Sequence, residues 1–146
     1  MRYCPQMCGW DGKRIRALVA AFEGLTLRRE EWDHEAHLVV AAVLVARHGP
    51  RAVEAIRKGI NRLNAHFGVE QTPHSGYHET LTVLYTRLIS AHLTSLPKQA
   101  SEFEQVSSVV LAFADKRLPL RYYSSGLLGS PQARVEWVAP DLAPLP

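Results

Sequence analysis

Leu38 to Ala46 is an uninterrupted run of nine apolar residues, and no other stretch limits the fold so strongly. Asp33, just ahead of it, is a good N-cap, because its carboxylate can accept a hydrogen bond from a free backbone N–H of the first turn. His48-Gly49-Pro50, just behind it, ends a helix. A helix that is apolar around its whole circumference has no face to offer water, so other elements have to surround it. Nine residues are about half of the ~20 needed to cross a bilayer as a helix. The run therefore predicts a buried central helix and no membrane span.

The helices that would do the surrounding can be read on either side. Asp11 caps a helix with Ile15, Leu18, Val19 and Phe22 on one stripe, closed by Gly24. Pro50 opens an outer helix to about Phe67, with Val53, Ile56, Ile60, Leu63 and Phe67 facing inward and Arg51, Glu54, Arg57, Lys58 and Asn61 facing water. Residues 68–76 are the clearest loop, in which Thr72-Pro73 and Ser75-Gly76 are alternative helix starts. The next helix carries Tyr77, Leu81, Leu84 and Leu88 and stops before Pro97. Ser101, with Glu104 three residues on, caps another that uses Phe103, Val106, Val110 and Phe113. Ser130-Pro131 starts a short final helix, and residues 140–146 form a Pro-rich tail. No strand-period alternation is long enough to build a sheet. The expectation is an all-α, up-down bundle of about four long helices with short flanking ones, forming a single domain over residues 1–146.

The start of the chain, Met1-Arg2-Tyr3-Cys4-Pro5, lacks the apolar core of a secretory signal, which predicts a cytoplasmic protein. Cys4 and Cys8, spaced C-x-x-x-C, match no usual zinc or thioredoxin spacing, so they read as two reduced thiols on a mobile segment over residues 1–10. The net charge of +3 allows an anionic small molecule and does not call for nucleic acid. The most basic stretch, Arg51 to Arg62, also lacks the interleaved aromatics of a single-strand platform.

In an up-down bundle the helix from Asp33 and the helix from Ser75 begin at the same end. His34 and His37 then share a rim with Tyr77, His78 and Glu79. The helix containing Phe113 ends there, which brings Arg121-Tyr122-Tyr123 to the same rim. His34 and His37 are i, i+3 and lie on one face. Their segment, H-E-A-H-L, is one residue short of the zinc-protease H-E-x-x-H. Two helix starts aim free N–H groups and positive dipole ends at the rim, which favours neutral imidazole and a bound anion. His34, His37 and His78 are accordingly candidate ligands for a divalent transition metal (Zn, Fe, Cu or Ni).

W-D-H-E-A-H-L (Trp32 to Leu38), G-Y-H-E-T (Gly76 to Thr80), A-D-K-x-L-x-x-R-Y-Y-S (Ala114 to Ser124) and S-P-x-A-R (Ser130 to Arg134) together resemble a family of small bacterial helical proteins with no assigned activity. The resemblance runs from about Leu25 to Pro146. It implies a shared site that includes Arg121, Tyr122 and Tyr123.

Three functions compete on these residues. In a metal-dependent enzyme, Glu79 would be a ligand or base, Arg121 would clamp an anionic substrate, and Tyr122 or Tyr123 would supply a proton. Tyr77 and Tyr123 would complete the substrate pocket. A metal-free binding module would hold a carboxylate or phosphate at the same rim. In an interaction protein the histidines would only cap and pack. Self-association into a homo-oligomer is compatible with each.

Overall fold

In a computed structural model that describes residues 9–146, the apolar run lies in helix α2 (His34–His48). Asp33 caps it, its carboxylate accepting from the Ala36 N–H at 2.9 Å. Every residue from Leu38 to Val45 is buried. Four helices cover it: α1 (Gly12–Gly24), α3 (Ala52–Phe67), α4 (Glu79–Ser95) and α5 (Glu102–Ala112) all pack on α2. Two short helices follow, α6 (Ser125–Leu128) and α7 (Pro131–Val135), and α7 packs on α4. The class is all-α. Among the described residues no strand forms, and Thr72 and Ser75 make a single isolated bridge. No helix in this range is long and apolar enough to cross a membrane. Cys4 and Cys8 lie outside the described residues, as does most of the segment expected to be mobile.

Two helix ends differ from the sequence reading. Helix α1 runs through Gly24 and is closed by Leu25, which takes the left-handed conformation (φ 57°) that Gly24 was expected to supply. That conformation costs a residue with a Cβ about 1–2 kcal/mol. Leu25 packs against the core, which offsets the strain. Helix α4 starts at Glu79 rather than near Ser75 or Thr72. A tight turn closed by Thr72 and Ser75 occupies the residues expected to begin it. The Gln71 side chain then brackets Tyr77, donating to its carbonyl at 3.0 Å and accepting from its N–H at 2.8 Å. These bonds keep the backbone non-helical up to His78.

Residues 124–142 are tied back onto the helices. Asp141 accepts from the Ser124 N–H and hydroxyl at 2.7 and 2.6 Å, and the Leu142 N–H donates to the Tyr122 carbonyl at 2.9 Å. Thr80, fully buried at the start of α4, donates to the Glu136 carbonyl at 2.9 Å and accepts from the Val138 N–H at 3.2 Å. The segment is thereby strapped across the beginning of α4.

Where α1 crosses α3, Gly59 lets the Phe22 ring lie directly on the helix backbone, and a Cβ at that position would overlap the ring. A helical glycine normally costs ~1 kcal/mol relative to alanine. Here the sign reverses, because overpacking costs about 1–3 kcal/mol. Gly59→Ala should lower unfolding free energy by about 1–2 kcal/mol in urea titrations. Adding Phe22→Leu should make the double variant less destabilised than the sum of the two single ones.

Candidate functional site

His78 is the N-cap of α4, and its ring is the capping group. Nδ1 accepts from the Leu81 N–H at 3.2 Å, and Nε2 lies 2.9 Å from the Leu128 carbonyl. A carbonyl only accepts, so the proton sits on Nε2, and the two contacts together require the neutral ring. Burial pushes the His78 pKa down, and the nearby Arg134 charge adds to the effect. Arg134 itself donates to the Gly76 carbonyl at 2.8 Å. The imidazole thus ties the α4 start to α6, with both nitrogens engaged.

Glu79 is likewise engaged. Arg57 on α3 grips its carboxylate through two short bonds, Nε to Oε1 and Nη2 to Oε2, both 2.7 Å, and the Tyr77 hydroxyl donates to Oε1 at 2.6 Å. The Arg57 hydrogen bonds hold the Glu79 pKa below its ordinary value despite burial. Tyr77 is pushed up to about 12 by burial and by its bond to this carboxylate. Arg57 was read as a solvated residue on an outer face. It pins α3 to α4 instead.

Beside this clamp lies a cavity of about 510 Å³, walled by α2, α3 and α4 and reached by Lys116 and Pro119 beyond α5. Leu38, Ala41, Ile56, Ile60 and Leu81 make its walls largely apolar. His34 and His37 line it from one side, and Thr82 and Tyr85 from the other. The His34 Nε2–H donates to the Phe113 carbonyl at 2.9 Å, which leaves Nδ1 with no hydrogen-bond partner among the described residues. His34 and Tyr85 rings meet edge-on, with centroids 5.9 Å apart. The His37 ring stacks on Trp32 at 3.9 Å. No hydrogen bond within the described chain reaches the His37 nitrogens, the Tyr85 hydroxyl or the Asn64 amide.

Crowding by protein lowers the His37 pKa, and the neighbouring His34 lowers it further. Its side chain nevertheless keeps open surface towards the cavity, so solvent there limits the size of the shift and leaves its direction. Burial, with the charge of Asp115 nearby, raises Tyr85 to about 12, so it is a phenol donor at neutral pH.

Of the residues singled out in the sequence, His34, His37, Tyr77 and His78 do come together around this cavity. The metal triad does not form: among the described residues no group of three or more His, Cys, Asp or Glu is placed to hold a metal ion. His78 has no nitrogen to spare, and His34 keeps only Nδ1. Arg121, Tyr122 and Tyr123 do not line the cavity. Arg121 is exposed, 3.9 Å from Asp115. Tyr122 packs on the core, and Tyr123 is fully buried with its hydroxyl donating to the Val138 carbonyl at 2.7 Å. The 3-10 turn Leu118–Arg121, which places Tyr123 under the C-terminal strap, directs this segment inward. Sequence reasoning missed Asn64 and Lys116 and did not assign Tyr85 to the site. The signal for Tyr85 was present, at i+7 from His78 on the same face.

Comparison with known proteins adds no relative: no family model, no curated protein and no solved structure matches the chain.

Two measurements test this arrangement. His78→Ala should destabilise by about 2 kcal/mol, from a lost cap and an orphaned Leu128 carbonyl. His78→Asn, which can cap but cannot reach Leu128, should recover about half of that. The second measurement is pH dependence. His37, His78 and His92 all have lowered pKa values, His92 through burial, so the unfolded chain binds more protons in the acid range. Their contribution is complete above the unfolded value of about 6.5 and is lost as pH falls through the folded values. Urea midpoints should therefore drop between about pH 7.5 and 5, above the range where Glu79 titrates. His78→Asn should flatten that slope.

Proposed function

We propose that this protein binds a small, largely apolar organic molecule in the cavity between α2, α3 and α4. The observation that carries the reading is a cavity of about 510 Å³ with aliphatic walls and a few polar side chains that find no partner within the described chain. Binding sites for small molecules have this size and this composition, in which apolar surface supplies affinity and a few polar groups fix orientation. A packed interior normally satisfies its polar groups and leaves few voids larger than a water molecule. His34 Nδ1, the His37 ring nitrogens and the Tyr85 hydroxyl lie outside such an interior: they open onto the cavity and stay available to a ligand. Trp32 and the stacked His37 add a flat aromatic surface.

The reading is metal-free. Glu79, the candidate base, is committed to Arg57 and Tyr77, and His78 to two backbone groups. These residues support the wall, and His34, His37 and Tyr85 face the ligand.

The neutral fluorescent probe N-phenyl-1-naphthylamine tests this directly. It should show saturable fluorescence enhancement with the full chain. Ala41, buried in the cavity wall, is the position to block: Ala41→Phe should weaken the probe about tenfold or more, as expected when a phenyl ring takes up the apolar site. Helicity by circular dichroism should be unchanged. Absence of saturable binding, or equal binding by a folded Ala41→Phe variant, would overturn the reading.

A further inference from the structure

The polar groups around the cavity are not evenly divided in sign. Among the described residues no aspartate or glutamate lines it, whereas Lys116 does, and Lys116 forms no ion pair. Asp115, whose charge reaches Tyr85, accepts from the Arg117 N–H at 2.9 Å and lies 3.9 Å from Arg121. Glu79 is neutralised by Arg57. At the same end, His34 anchors to the Phe113 carbonyl, which places the Lys116 segment beside the His34–Tyr85 pair. The free groups there include three donors, the Lys116 ammonium, the Tyr85 phenol and one N–H of His37, beside the unpartnered His34 Nδ1, the second His37 nitrogen and the Asn64 amide.

An ammonium and a phenol that no protein acceptor uses, placed at the mouth of an apolar cavity, match a ligand that is apolar over its body and anionic at one end. A neutral apolar ligand would leave both donors to water. A cationic one would meet Lys116 with no carboxylate in the cavity lining to compensate it, which is costly where solvent is partly excluded. Phosphate esters and other dianions would require more positive charge than one lysine supplies.

We infer that the ligand class is a small monocarboxylate with a flat or aliphatic apolar body, its carboxylate held by Lys116 and Tyr85 and its body lying between Ile56, Ile60 and Trp32. This rests on the cavity reading above and adds the charge of the ligand to it.

The test compares two probes of one shape, 2-naphthoate and 2-naphthylmethanol, by isothermal titration calorimetry on the full chain at low salt. The acid should bind about tenfold more tightly than the alcohol. Lys116→Met should weaken the acid about threefold to fivefold, the range for an ion pair at an exposed rim, and leave the alcohol unchanged. Tyr85→Phe should also weaken the acid selectively. Lys116 is exposed, and its side chain makes no hydrogen bond or ion pair with the described residues, so its variant should fold as the parent does. Equal affinity for acid and alcohol, or equal weakening of both by Lys116→Met, would overturn the acid assignment while N-phenyl-1-naphthylamine binding keeps the cavity reading intact. If neither naphthyl probe nor the neutral fluorophore binds, both fall together.

Discussion

Everything in this fold follows from the need to keep α2 away from water. From Leu38 to Val45 the helix offers no polar residue to any direction, and four helices pack against it. Burial of that much aliphatic surface is the largest favourable contribution available to a domain of this length. The requirement relaxes at the N-terminal end, where Asp33, His34, Glu35 and His37 replace the aliphatic residues. There α3 and α4 have no reason to close tightly, and the cavity opens beside the first turn. The same helix thus sets both the core and the place where the core stops.

What bounds the cavity is held by polar bonds rather than by packing alone. Arg57 and Glu79 fix the separation of α3 and α4 at one point, and His78 fixes the α4 start against α6 at another. Both are partly buried, charge-assisted or geometry-specific contacts, and such contacts hold register better than aliphatic surfaces, which can slide. The cavity walls can therefore stay apolar, since their position is set from outside.

The helices and the central place of α2 were legible in the sequence because apolar periodicity and capping residues are local signals. Asp11, Asp33 and Ser101 each cap where their spacing indicates. The gathering of His34, His37, Tyr77 and His78 at one place was legible from helix directions alone. Their roles were not. A histidine reads as a ligand or a base in sequence, and nothing near His78 in the chain reveals Leu128, fifty residues away, as the partner that takes its second nitrogen. Arg57 looked solvated because its neighbours Glu54, Lys58 and Asn61 are polar, and its reach to Glu79 is a tertiary fact. Tyr123 was expected at a rim and is instead buried, since a 3-10 turn after Leu118 rotates the segment inward.

The strap over α4 has a consequence for the order in which the molecule is built. Leu128, Arg134, Glu136 and Val138 brace His78, Gly76 and Thr80, and they leave the ribosome after every helix that walls the cavity. Until they emerge, the start of α4 lacks the acceptor for His78 and the partner for the buried Thr80 hydroxyl. A nascent chain can cover α2 with its neighbours yet still have an unanchored cavity wall. A fully braced cavity wall therefore arrives late in synthesis, as a separate event from collapse of the core.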